Sequence, residues 1–169
     1  MKKIPTLFVR FSCAFVVLVL QMSANQVFAD SKYTEIAPNY ERACAKGDGL
    51  SCFNLGGKFL QGNGVRQDDR EAVKLFTKAC DNDEPLGCTA LGWMLEKGRG
   101  ISKDPIHASK LYNQGCNAGV SDGCFFLGWM YENGIGVDVN EEKAIGLYTR
   151  GCRLGGGVTV GCDILLNKN

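Results

Sequence analysis

The chain has a single histidine, His107, among its 169 residues. Hydrolytic metal sites are built from clustered histidines, so we expect no metal and no other cofactor. No serine has a lysine three residues later, and Lys-Thr-Gly is absent. These absences exclude the arrangement in which a lysine one helical turn away activates a serine nucleophile. The sequence therefore shows no independent catalytic motif, and His107 is expected on a helix surface.

The chain also lacks an excess of either charge. It has 19 basic and 18 acidic residues. Three of the basic residues, Lys2, Lys3 and Arg10, fall in the first 29 residues, which leaves 16 basic against 18 acidic and a net charge of −2 for the remainder. Nucleic-acid-binding domains show a basic footprint, so we expect no nucleic-acid partner.

Only one long apolar run is present, from Phe11 to Leu20. It follows the basic start and precedes Val27-Phe28-Ala29, a plausible cleavage site, so residues 1–29 are predicted to be a signal peptide. The run is shorter than the roughly 20 residues that span a bilayer. We therefore expect a secreted or periplasmic protein without a membrane span after cleavage, and a single domain over residues 30–169.

Eight of the nine cysteines follow that segment at a fixed spacing. They form four pairs, and the first cysteines of successive pairs lie 36 residues apart. The first three pairs have the spacing Cys-x7-Cys, and the last has Cys-x9-Cys. The cysteines are Cys44 with Cys52, Cys80 with Cys88, Cys116 with Cys124, and Cys152 with Cys162. A period of this size predicts a repeat protein. Export favours disulfides, whereas zinc sites use closer cysteine pairs or histidines.

Each repeat reads as two helices. Apolar residues at helical spacing run from Leu50 to Gln61, and Gly62 suits a left-handed helix end. The second helix begins at Asp68, which is predicted to form a capping box with Glu71. Disulfides across the short hairpin loop would join each second helix to the next first helix. The sequence thus predicts an all-α, disulfide-stapled α/α solenoid.

The repeat boundaries follow from this frame. A lone second helix begins the array and a lone first helix ends it, because terminal half-repeats cap a solenoid. The predicted units are an N-terminal half-repeat over 33–50, repeats over 51–86, 87–122 and 123–160, and a C-terminal half-repeat over 161–169.

Two segments carry a family resemblance. Leu91-Gly92-Trp93-Met94 is followed by Gly98-x-Gly100-Ile101, and Leu127-Gly128-Trp129-Met130 by Gly134-x-Gly136-Val137. This pattern resembles the Sel1-like repeat, a relative of the tetratricopeptide repeat. With Cys-x7-Cys in each unit, the chain resembles the secreted Helicobacter cysteine-rich proteins. That resemblance implies a penicillin-binding protein with slow β-lactam hydrolysis, whose ligand is a β-lactam or a peptidoglycan-like molecule. It maps no catalytic residue onto this chain.

The alternative function is a non-catalytic solenoid, expected as a monomer, that binds a protein or peptide on its concave face. First helices line that face in tetratricopeptide-like solenoids. The candidate ligand-binding residues are Trp93, Glu96, Phe125, Trp129 and Glu132. The competing interpretation places both indoles in the core between repeats, because large apolar side chains are mostly buried.

Overall fold

The computed structural model of the protein describes residues 37–155 and Cys162. The predicted signal peptide and most of the C-terminal half-repeat lie outside this range. The described residues form helices and no strands. The helices are α1 (Ala37–Ala45), α2 (Gly49–Gln61), α3 (Asp69–Asp81), α4 (Pro85–Lys97), α5 (Pro105–Asn117), α6 (Ser121–Asn133) and α7 (Glu141–Arg153). None of these helices is long and apolar enough to cross a membrane.

Glycine ends the three first helices that the structure describes, and Gly62 is the predicted end of α2. Gly62, Gly98 and Gly134 close α2, α4 and α6 with φ of 68°, 69° and 67°. Each donates its backbone N–H to the carbonyl oxygen four residues earlier. Glycine adopts this left-handed conformation without a Cβ penalty, so it fixes where the chain turns toward the second helix.

Polar side chains cap the second helices α3, α5 and α7, but the predicted capping box is only half formed. The caps that accept backbone N–H groups are Asp68, Asp104 and Asn140. The Glu71 carboxylate does not bond the backbone of Asp68; it accepts from Lys74 Nζ at 2.7 Å. The N–H of Asp68 instead donates to the Phe59 carbonyl at 3.0 Å. The loop between the helices has thus already satisfied the donor that a capping box would use.

Disulfides join consecutive helix pairs, which confirms the predicted disulfide-stapled solenoid. They connect α1 to α2, α3 to α4 and α5 to α6 through Cys44–Cys52, Cys80–Cys88 and Cys116–Cys124, with Cα–Cα distances of 4.7, 4.6 and 4.5 Å. A fourth bond links α7 to the C-terminal region through Cys152–Cys162. The first three bonds each hold a second helix against the first helix that follows it.

Within each repeat, a glycine of the first helix packs against an aromatic ring of the second helix. The contacts are Gly56 on Phe76, Gly92 on Tyr112 and Gly128 on Tyr148. A Cβ at these glycines would lie 2.7, 3.0 and 2.9 Å from the ring. The fully buried Ala72, Ala108 and Ala144 complete the same contact row. These rows lie within the core, so the opposite face of each first helix is available to form a surface.

Candidate functional site

A groove of about 300 Å³ opens along the first helices α2, α4 and α6, and we call it the first-helix groove. It is lined by Phe53, Gly57, Leu60, Gln61, Phe76, Leu86, Thr89, Ala90, Trp93, Val120, Asp122 and Phe126. Most of these side chains are aromatic or aliphatic. Asp122 is the only charged residue in the lining. Such a surface favours an apolar ligand with a polar or charged anchor.

The space in this groove arises at Gly57. The equivalent positions of the next two repeats, 36 and 72 residues later, are Trp93 and Trp129. A Cβ built at Gly57 would meet nothing within 4 Å, so no neighbouring side chain occupies this space. The first repeat therefore has an opening where the others carry an indole.

The two tryptophans lie in different surroundings. Trp93 is half-buried and lines the groove, and the Arg99 guanidinium carbon lies 5.5 Å from its ring centroid. Trp129 is 37% exposed and does not line the groove. Lys97 Nζ lies 5.5 Å from the Trp129 ring centroid. Both cations lie within cation–π distance, and neither indole is fully buried in the core.

The predicted ligand residues Glu96 and Glu132 point to tyrosines of the following helix. Tyr112 Oη donates to Glu96 Oε2 at 2.9 Å, and Tyr148 Oη donates to Glu132 Oε2 at 2.8 Å. Glu96 is only 5% exposed, and its other oxygen accepts from Lys97 Nζ at 2.6 Å. Burial, with the neighbouring carboxylate adding to it, raises the pKa of both tyrosine phenols well above the ordinary value.

Sequence reasoning missed these tyrosine–glutamate bonds, although a signal was present. Both pairs are separated by 16 residues. The equivalent positions in the first repeat are Leu60 and Phe76, so both members are apolar there. The two positions are thus both polar in two repeats and both apolar in the other. Such a joint change is expected when two side chains are in contact, because a buried polar group needs a polar partner.

Phe125, the remaining predicted ligand residue, is buried against Tyr148 with ring centroids 6.2 Å apart. Phe126 lines the groove instead. One residue along a helix turns the side chain by about 100°, which separates these two neighbours. Of the five predicted residues, the structure brings only Trp93 into the groove lining; a ligand-binding role for the set stays a prediction.

The groove lining contains no serine or cysteine. Three serine hydroxyls of the described chain donate elsewhere: Ser51 to Asp48 at 2.6 Å, Ser109 to Ile106 at 2.8 Å and Ser121 to Gly151 at 2.9 Å. All eight cysteines after residue 30 are in disulfides. Within the described ranges, no three His, Cys, Asp or Glu residues are grouped to hold a metal. The groove can therefore supply contact surface, with no serine or thiol nucleophile.

Helix pairs of constant length, stapled end to end, define an α/α solenoid of the repeat-protein class. The Sel1 repeat family model matches residues 49–84, 85–120 and 121–156, so the chain belongs to the Sel1 repeat family. These units begin two residues before the repeats predicted from the cysteines, at the first turn of each first helix. No curated protein matches the chain.

Solved structures of Sel1-type proteins share the fold. A Sel1 repeat protein from Oxalobacter formigenes is 29% identical, with a TM-score of 0.68 over 76% of this chain and 96% of that one. A protective antigen of uropathogenic Escherichia coli with an SLR fold is 30% identical, with a TM-score of 0.70; the match covers 76% of this chain and 27% of the antigen. Helicobacter pylori cysteine-rich protein B is 27% identical, with a TM-score of 0.62 over 78% and 98%.

Proposed function

We propose that this protein binds a segment of another protein along the first-helix groove. The observation that carries the proposal is the groove itself, an apolar channel with Phe53, Trp93 and Phe126 in its lining. Partly exposed aromatic side chains supply large contact area at low entropic cost, and they dominate many protein interfaces. Stacked helical repeats offer extended surfaces of this kind to protein partners.

The same proposal places the protein outside the cytoplasm, secreted or in the periplasm. Four disulfides within about 120 residues favour an oxidising compartment. The predicted signal peptide would supply export. Mass spectrometry of the exported protein is expected to show a chain that begins near Asp30 and holds four disulfides. An uncleaved or reduced chain would contradict this part of the proposal.

The binding test compares a groove variant with a surface variant. Displayed random peptides are selected on the oxidised protein, and their affinities are then measured by fluorescence polarisation. Trp93→Ala is expected to weaken them about tenfold or more, since it removes a central aromatic contact. Ile106→Ala, on an exposed position of α5 that does not line the groove, is the control and should leave affinity unchanged. Failure to select any peptide, or equal affinity of the Trp93→Ala variant, would count against the proposal.

The second candidate is penicillin binding with slow β-lactam hydrolysis, which the Helicobacter resemblance implies. A groove of about 300 Å³ is at the lower end of the range for small-molecule sites. The test incubates the oxidised protein with a penicillin and a cephalosporin and follows tryptophan fluorescence and ring opening together. Saturable turnover that Trp93→Ala abolishes would favour the β-lactamase function over peptide binding. If the assay shows no fluorescence quenching and no turnover, this candidate is removed.

A further inference from the structure

The three repeats of this chain provide an internal comparison. Residues that build the helix pairs recur at steps of 36. They are Cys52, Cys88 and Cys124; Leu55, Leu91 and Leu127; Gly56, Gly92 and Gly128; and Ala72, Ala108 and Ala144. All of these side chains or glycines are buried. What recurs is therefore what the fold requires.

Many residues in the lining of the first-helix groove differ from their equivalents in the other repeats. In the first repeat, Gly57 replaces the tryptophan of the other two repeats, and Leu60 and Phe76 replace their glutamate and tyrosine. In the third repeat, Asp122 occupies the position of Leu50 and Leu86, and Phe126 occupies the position of Asn54 and Ala90. The fold tolerates either residue at each position. These departures meet in one groove, which points to a role in recognition.

The departures have three physical effects, and the first two concern the shape and polarity of the groove lining. Gly57 opens a space in the middle of α2, at a position where glycine disfavours the helix. Leu60 and Phe76 replace the hydrogen-bonded glutamate–tyrosine pair and leave apolar lining around that space. The opening is suited to a large apolar side chain.

The third effect is a local negative charge. Asp122 is exposed and has no hydrogen-bond or ion-pair partner within residues 37–155. The cations near the tryptophans are already paired, Lys97 with Glu96 at 2.6 Å and Arg99 with Asp69 through two hydrogen bonds. The uncompensated charge in the groove lining is therefore the Asp122 carboxylate, and it is complementary to a cation.

We infer that the groove takes a partner-protein segment that places a large apolar or aromatic side chain over Gly57 and a lysine or arginine against Asp122. This inference rests on the proposed function and specifies the chemistry of the partner. The apolar contact supplies affinity and the charge pair supplies selectivity.

The probes are arrayed peptides of about ten residues. Each carries one Trp, Leu or Ala and one Lys, Gln or Glu at varied separation. Peptides with Trp or Leu and Lys are expected to bind, and replacing Lys by Glu should weaken binding about five- to tenfold. Asp122→Lys should reverse that charge preference. Gly57→Trp, which restores the residue of the other repeats, should weaken binding about tenfold or more because it fills the opening.

Gly146→Trp is the matched control, since a Cβ there also meets nothing within 4 Å and the residue lies outside the groove lining. Circular dichroism verifies the fold of each variant, and Gly57→Leu replaces Gly57→Trp if that variant does not fold. Binding that survives the filling of Gly57, or that shows no charge preference, overturns this inference. If that binding is still lost in Trp93→Ala, the proposed function stands. The absence of any peptide binding overturns both.

Discussion

At the scale of single residues, the tyrosine–glutamate bonds show how a polar pair is kept inside a repeat core. Tyr112 is fully buried and Glu96 is 5% exposed, so each supplies the partner that the other needs. Leaving one member buried without the other costs free energy, whereas replacing both by apolar groups can be nearly neutral. The first repeat, with Leu60 and Phe76, has the apolar version of the same contact.

A double-mutant cycle tests this account. Tyr112→Phe is expected to lower the free energy of unfolding by about 1–3 kcal/mol, because the Glu96 carboxylate loses a donor while remaining buried. Adding Glu96→Leu should recover most of that loss. Denaturant unfolding of the two single variants and the double variant measures the coupling. Additive effects would show that the hydrogen bond is not the stabilising contact.

The same bonds predict how stability changes at alkaline pH. The folded protein holds the protons of Tyr112 and Tyr148, because burial and the nearby carboxylates raise the pKa of both phenols. In the unfolded chain they ionise near the ordinary value of about 10. Their contribution is therefore complete below about pH 10 and is lost as the pH rises further. Thermal melts between pH 8 and 11 should show a fall that is smaller in the Glu96→Leu/Tyr112→Phe variant.

Two adjacent glycines of α2 should respond oppositely to alanine. Gly57 faces open space, so Gly57→Ala is expected to stabilise the protein by about 0.5–1 kcal/mol through helix propensity. At Gly56 a Cβ would lie 2.7 Å from the Phe76 ring, so Gly56→Ala should destabilise by about 1–3 kcal/mol. Urea unfolding of both variants measures the difference. Equal effects would contradict the close helix–ring approach.

At the scale of elements, the turns between stapled helices share one backbone feature. The residue three positions after the first cysteine of each pair has positive φ, and it is Gly47, Asp83, Gly119 and Gly155 in turn. Asp83, with φ of 58°, is the exception to glycine. A residue with a Cβ is strained in this conformation, although aspartate tolerates it better than most.

Exchanging the residues of two such turns tests the effect. Asp83→Gly is expected to stabilise by up to about 1 kcal/mol, because the strain is relieved. Gly119→Asp should destabilise by a similar amount; a Cβ there meets nothing within 4 Å, so only the backbone conformation is affected. Differential scanning calorimetry provides the comparison. Two shifts of the same sign would refute the argument.

Elements were predictable where their signals are local. Gly62 and Asp68 mark a helix end and a helix start through the conformation or hydrogen bonding of their own backbone neighbourhood, and both of these helix limits are confirmed. The groove was less predictable, because it depends on which helix faces meet. Phe125 and Phe126 are equally aromatic, yet one is buried and the other lines the groove. A missing side chain, as at Gly57, gives no apolar signal at all.

At the scale of the whole molecule, packing between neighbouring helices and the disulfides both stabilise the fold. Each helix packs on its neighbours along the chain, and α2 also contacts α4. Such nearest-neighbour arrays have stabilities that are approximately sums over repeats and interfaces. Each Cys-x7-Cys bond closes a short loop and contributes about 2.5 kcal/mol in the chain-entropy model. The Cys152–Cys162 bond closes a loop only two residues longer, so the four bonds together amount to about 10 kcal/mol, comparable to the roughly 5–15 kcal/mol of a typical domain.

Reduction should therefore unfold the protein rather than loosen it. With excess dithiothreitol at 37 °C, the far-ultraviolet circular dichroism signal of the helices is expected to collapse, because the packing alone leaves little net stability. Removing one staple with Cys80→Ala and Cys88→Ala should cost about 2.5 kcal/mol and leave a folded protein with a lower melting temperature. Reoxidation of the wild-type chain should restore both the helical signal and peptide binding. A reduced protein that melts cooperatively at the oxidised temperature would show instead that the helix rows of Gly56, Gly92 and Gly128 hold the solenoid without the disulfides.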